Sequence, residues 1–239
     1  MLIVVNHLTR MQPGYFCAAG INKSTDKHVR PVIRSGMLSA DQLSTNGGPF
    51  DMAALVDLGD VRPNPAPPET EDHLFYPKDA HLVRNIKSDE FWELINIHAK
   101  STLTDIFGPD LKRHKQLENS CVVDYKKGKA SLGCLSLSTP PRLYMDRFRD
   151  KVRVTFNDGT FNVDLSVTDL RLYEADLKTP RKKKIKHVAQ QIRSGTKVIL
   201  GVGLTRPWQK NGDTEKYHWL QANNIHLEDD PVWRLDDVS

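Results

Sequence analysis

VRVTFNDGTFNVDLSV, Val152 to Val167, is the stretch whose reading decides the fold class. Val152, Val154 and Phe156 alternate with polar residues, Asn157-Asp158-Gly159 supplies turn chemistry, and Phe161, Val163, Leu165 and Val167 alternate again. A period of two on either side of such a turn is the signature of a half-buried β-hairpin. Working outward, the same pattern recurs in short apolar runs. Toward the N-terminus stand LIVV (Leu2 to Val5), YFCAAG (Tyr15 to Gly20), HVRPVI (His28 to Ile33) and MAALVDLGDV (Met52 to Val61). Nearer the hairpin are CVVDY (Cys121 to Tyr125) and LGCLSL (Leu132 to Leu137), joined by KKGK. Beyond it, TKVILGVGLT and YHWLQANNIHL form a last strand pair around QKNGDTEK.

Helical signals are fewer. Ser88 is placed to cap a helix, Asp89 and Glu90 suit its first turn, and Phe91, Leu94, Ile95 and His98 follow at helical spacing. The spacing predicts a helix from Ser88 to about Thr104, followed by the polar, basic stretch GPDLKRHKQLEN. A second helix start is read at Thr168 or Asp169 in TDLRLYEADLK. RPNPAPPETED, from Arg62 to Asp72, carries four prolines and reads as a stiff connector that ends the first sheet. Regular strand-helix alternation is absent, which excludes a doubly wound sheet. The expected class is β-rich α+β, built of small barrels.

The 239 residues suffice for one large domain or two small ones. With 38% hydrophobic and 27% charged residues the chain is a polar globular protein, and no apolar run is long enough to cross a bilayer. MLIVVNHL is too short for a secretory signal, so a cytoplasmic location and no membrane are expected. Cys17, Cys121 and Cys134 form no CxxC pair and lie in strand-like segments, which predicts buried free thiols. Net charge is +4, unevenly spread. KTPRKKKIK, Lys178 to Lys186, has six basic residues and no acid, and reads as a solvated loop; Glu228 to Ser239 has five acids against one arginine.

One internal echo stands out. Arg30-Pro31-Val32-Ile33-Arg34-Ser35-Gly36 and Arg206-Pro207-Trp208-Gln209-Lys210-Asn211-Gly212 share the form RPxx(R/K)xG, each after an apolar run. Four matched positions are few enough to arise by chance, and the alternative reading is that they mark equivalent corners of two related halves.

The order VNHLTR, GYFCAAGIN, KHVRPVI, FDMAALVDLGDV, a proline-rich step into EDHLF, and later FNVDLSVTD resembles bacterial proteins that contain a dual OB domain. The family's "cvaGi…wiRPV" run is matched here by CAAGINKSTDKHVRPV, while its "phHQxEN" step is represented only by EDHLF. The resemblance implies two OB-type barrels and nucleic-acid binding, with a contextual link to antiviral defence or mobile elements. OB folds also serve as protein contacts, so fold alone does not settle function.

Catalytic sets are sparse. Asp164 with Asp176-Leu177-Lys178 loosely matches a metal-dependent nuclease, but the second pair falls in a stretch read as helix. The nine histidines form no HExxH, HxH or Cys/His set at metal spacing, and no GxSxG elbow or phosphate-cradling glycine loop occurs. Glu71-Asp72-His73 reads as a solvated loop with some capacity for a cation. No catalytic residue, metal or cofactor is therefore expected.

The positive case is binding, since single strands are held by basic side chains along phosphates and by bases stacked on aromatic rings. Arg10, Arg30, Arg34, Lys182, Lys183, Lys184, Arg206 and Lys210 supply charge, and Trp208 and Trp219 supply rings, with Tyr15 and Tyr217 as further candidates. The expected organisation is a first OB-like barrel over 1–78, a helical insertion over 79–118, and a second barrel over 119–239 with the basic loop 178–186 and the acidic tail. The expected partner is DNA or RNA, bound without catalysis. The alternatives are a protein-interaction module, docking through Glu228 to Trp233, or a small-ligand module.

Overall fold

In a computed structural model, which describes residues 1–34, 36–146, 148 and 150–235, the chain is β-rich α+β, as expected. Ser35 of the first RPxx corner and residues 236–239 of the acidic tail lie outside the described residues.

The N-terminal half contributes β1 (Leu2–Arg10), β2 (Tyr15–Asn22), β3 (His28–Val32), β4 (Leu38–Ser39), β5 (Ala54–Asp57), β6 (Arg62–Pro63), β7 (Asp72–Leu74) and β8 (His81–Asn85). They form one sheet in the order β6-β7-β3-β2-β1-β5-β8, with β4 added to β2. The proline-rich segment therefore does not end the sheet. It enters and leaves through β6 and β7, whose partners are Arg62 to Leu74 and Pro63 to His73, and β7 then runs parallel to β3. Proline is tolerated in so short a strand at the sheet's edge.

Helix α1 (Ser88–His98) follows, burying Phe91 and Ile95. It stops six residues earlier than the spacing predicts, and Lys87, not Ser88, stands at its cap without a side-chain bond. The chain then forms β9 (Ala99–Lys100) and the short α2 (Leu103–Phe107), where Thr102 accepts from the Asp105 N–H. The polar stretch beyond forms β10 (Lys112–His114) and the start of β11 (Leu117–Asp124).

Next come β12 (Leu132–Ser136), β13 (Arg142–Asp146), β14 (Lys151–Asn157), β15 (Asn162–Ser166), α3 (Lys182–Arg193), β16 (Val198–Leu204) and β17 (Tyr217–Leu227). The β14–β15 hairpin forms as read, with Phe156 opposite Val163 and Val154 opposite Leu165. The β16–β17 pair also forms as read. β11 and β12, though joined by KKGK, do not pair with each other; the second sheet runs β10-β11-β17-β16-β12-β9, beside a three-stranded sheet β13-β14-β15. The helix read from Thr168 is a single 3-10 turn, Leu170–Leu172, with Asp169 capping the Arg171 N–H. The basic run is not a loop: Lys182, Lys183 and Lys184 open α3, whose buried residues Ile185, Val188, Ala189 and Ile192 recur at helical spacing.

Two apolar cores result, and β16 serves both. Val198, Leu200 and Val202 point into the core of the second half, whereas Ile199 joins Ile3, Val5 and Phe91 in the first. That explains an unbroken apolar run: a strand covered on both faces has no polar side.

Two β-bulges face one another where the halves meet. Between Val5 and His7 the β1–β2 register skips Asn6, and between Gly201 and Val202 the β16–β17 register skips Asn223. Bulges re-aim side chains, and here they turn Asn6, His7 and Asn223 into a shared polar seam. The Leu8 N–H donates to Asn224 Oδ1 at 2.9 Å, Asn224 Nδ2 donates to the Leu8 carbonyl at 3.1 Å, and His226 Nε2 lies 3.1 Å from the Asn6 carbonyl. The glycines of β16 make this approach feasible. A Cβ on Gly201 would sit 3.1 Å from His7 Nδ1, and one on Gly203 would overlap Asn223 Nδ2.

Candidate functional site

The RPxx echo has a physical counterpart. Arg30 on β3 donates from Nε to Asp72 Oδ1 at 2.5 Å, and Arg206, just past β16, donates from Nη2 to Asp72 Oδ2 at 2.6 Å. One carboxylate joins both corners. Glu69 Oε1 adds contacts at 3.3 Å to Arg206 Nη1 and 3.5 Å to His218 Nδ1. Glu71 accepts from the Ser131 N–H and Oγ, each at 2.8 Å, and burial pushes its carboxyl pKa up against the pull of those bonds. Glu71 and Asp72 are buried, not a solvated loop. Their work is to satisfy arginines and backbone across the seam, because a buried charge is tolerable only when paired.

Above this cluster lies an open groove of about 1060 Å³, lined by residues from both halves, among them Arg10, Phe16, Arg30, Ile33, Arg206 and Trp208. Arg10 stacks its guanidinium 4.2 Å from the centre of the Tyr173 ring. Arg30 is only 5% exposed, so it belongs to the groove's floor. Arg10 Nε and Arg30 Nη2 are buried without an acceptor among the described residues.

At the rim Trp208 is 47% exposed and rests on Trp219, ring centres 5.4 Å apart. Trp219 is itself buried; His114 packs on it at 4.8 Å, and Lys210 Nζ lies 5.7 Å from its ring centre. His114 is anchored by Asp213 at 3.1 Å. The loop between β16 and β17 thus presents one free aromatic face on a rigid aromatic base.

Of the ten residues singled out from sequence, Arg10, Arg30, Arg206 and Trp208 line this groove, with Trp219 and Lys210 behind Trp208. Arg34 is exposed just beyond Ile33 and is not among the lining residues. Lys182, Lys183 and Lys184 are not among them either. The first two are exposed on α3, and Lys184 Nζ lies 4.9 Å from the centre of Trp233. Trp233 is core, with Arg171 on its ring at 3.9 Å, so it offers no docking ring. Glu228 and Asp229 are engaged at home by Lys197 and Thr196.

Both acids of the loose nuclease set are taken up by partners of their own. Asp164 accepts from Tyr144 Oη and Arg153 Nε, whereas Asp176 is taken up by the Lys178 and Thr179 N–H groups and Thr179 Oγ1. Those local bonds hold the Asp176 carboxyl at about 2.

Sequence reasoning took Glu71 and Asp72 for a solvated loop, and missed Glu69 and a set of buried imidazoles. His7, His28 and Cys134 come together at the seam from β1, β3 and β12. Burial first, then neighbouring His28, lowers the His7 pKa, and burial with His98 lowers His28 to about 4. Burial raises the Cys134 thiol to about 12.

The sequence model of the family described as the dual OB-containing domain matches residues 1–225. The chain belongs to that family. No curated protein and no solved structure matches it. In this dual OB-containing chain, the groove falls where the halves join. Among its described residues no helix is long and apolar enough to cross a membrane.

Proposed function

We propose that this chain is a non-catalytic nucleic-acid-binding protein whose groove takes a single strand of DNA or RNA. The observation that carries the reading is Trp208: a half-exposed indole, backed by a buried one, at the rim of a groove holding Arg10 and Arg206. An exposed ring fixed in place stacks a base at little entropic cost, contributing roughly 1–3 kcal/mol. Guanidinium groups below it suit phosphate or base oxygens. Each half is read as an OB-like barrel left open, with the strand orders given above. The family resemblance extends this to a component of a bacterial defence or mobile-element system.

The competing reading is a small-ligand or protein-binding module. It is favoured by one observation, that Asp72 and Glu69 already neutralise Arg30 and Arg206. A ligand without phosphates would fit such a groove.

Titration of labelled single- and double-stranded DNA and RNA at two salt concentrations separates the two. A strand in the groove weakens with salt by a log-log slope of roughly −0.7 per phosphate contacted. Absence of binding at low salt eliminates the nucleic-acid reading and leaves the alternative.

A further inference from the structure

We propose that His7, His28 and Cys134 form a transition-metal site suited to Zn²⁺, fastening β1 and β3 of the first sheet to β12 of the second. One donor atom from each residue lies within 4.8 Å of the others. Cys134 Sγ is 4.0 Å from His28 Nε2, and the two imidazole rings meet edge to face at 5.3 Å.

A second observation points to the same ligand. His7 Nε2 and Asn6 Oδ1 are both buried without a partner among the described residues. His7 is 1% exposed and Asn6 fully buried. Orphaned polar atoms at such depth call for an ion or a water. The Asn6 amide head sits on the cluster, with Nδ2 3.1 Å from His28 Nε2 and 3.3 Å from Cys134 Sγ. Amide nitrogen and oxygen are interchangeable by a half-turn, which brings the carbonyl oxygen round as a fourth donor.

Two imidazoles and one thiolate select a borderline ion such as Zn²⁺ over hard, oxygen-loving cations. Tetrahedral zinc spaces its donors roughly 3.3–3.8 Å apart, so binding requires the widest pair to close by about 1 Å. As the zinc–sulfur bond forms, the Cys134 thiol proton leaves to solvent. His28 is half-buried and gives the ion a way in. Separation in sequence hid the set, since its members stand 106 residues apart between His28 and Cys134.

The test uses the full chain, stripped with chelator and titrated with Co²⁺ and then Zn²⁺, with no nucleic acid present, so that its outcome is independent of the groove. The expected result is the intense visible spectrum of tetrahedral cobalt plus a thiolate charge-transfer band, displaced by Zn²⁺. Cys134→Ser abolishes the charge-transfer band, and His28→Gln weakens Zn²⁺ binding at least about tenfold. Cys121→Ser, at a buried thiol elsewhere, changes neither. His28→Gln alters a partly exposed residue and keeps the test open should Cys134→Ser fail to fold. A pale octahedral cobalt spectrum, or a charge-transfer band that follows Cys121 instead of Cys134, overturns the proposal.

Discussion

Arg30 and Arg206 hold opposite oxygens of the same carboxylate, Asp72, at 2.5 and 2.6 Å. The first arginine is buried and the second half-exposed, so the two are not energetically equivalent. Asp72→Ala strands Arg30 inside the protein, and loss of a buried partner costs roughly 3–5 kcal/mol. Arg206→Ala removes a half-exposed side chain and leaves Asp72 paired with Arg30, so it costs less than Asp72→Ala although Glu69 loses one partner. Urea unfolding midpoints of the two variants should differ accordingly; equal shifts would show that Asp72 does not act as the shared anchor.

Trp208→Ala should weaken single-strand binding by about 5- to 150-fold, the equivalent of the roughly 1–3 kcal/mol of one stacked base, with an unchanged melting temperature. The triple change of Lys182, Lys183 and Lys184 to Ala should leave the affinity for a short oligonucleotide nearly intact, because these residues are not among those lining the groove. If the lysine triple abolishes binding and Trp208→Ala does not, the interface lies on the face of α3.

His226 is fully buried, and burial, followed by the nearby Arg171, lowers its pKa to about 3 from the ordinary 6.5. The folded imidazole stays neutral where the unfolded one takes a proton. Its contribution to stability is therefore complete above pH 6.5 and is lost as pH falls from 6.5 toward 3, at up to about 1.4 kcal/mol per pH unit. Equilibrium unfolding across that interval should show the decline, and His226→Gln should make it shallower without abolishing it, because His7 and His28, also held below the ordinary 6.5, contribute to the same decline.

Gly203→Ala places a methyl group into Asn223, the bulge residue that contacts His7 at 3.3 Å. Overpacking at such a site costs roughly 1–3 kcal/mol. Calorimetry should find a lower melting temperature for Gly203→Ala, while Gly212→Ala, in open space but at a φ of +95°, registers only backbone strain.

Elements whose pattern is local were legible in the sequence. The β14–β15 hairpin and the β16–β17 pair were read correctly because alternation and turn residues lie within a few positions of each other. The basic run was misread because six charges mask a helix whose apolar stripe begins only at Ile185. Glu71 and Asp72 looked solvated because their partners, Ser131 and Arg206, are 60 and 134 residues away. Of the candidate site, the RPxx echo was visible as a repeat, and its convergence on one acid was not, since no spacing rule encodes which loop meets which.

The seam between β1 and β17 also sets an order of events at synthesis. The Asn6 carbonyl and the Leu8 backbone find their partners in Asn224 and His226, up to 220 residues later. β1 is made long before β17. Until β16 and β17 are released, the Asn6 carbonyl and the Leu8 backbone lack these partners and the apolar residues of β1 lack the lid of β16, although the strands of the N-terminal sheet, β1 to β8, are already made. The packing of β1 against β17 should therefore form late, and removing either half should leave the seam of the other unpaired.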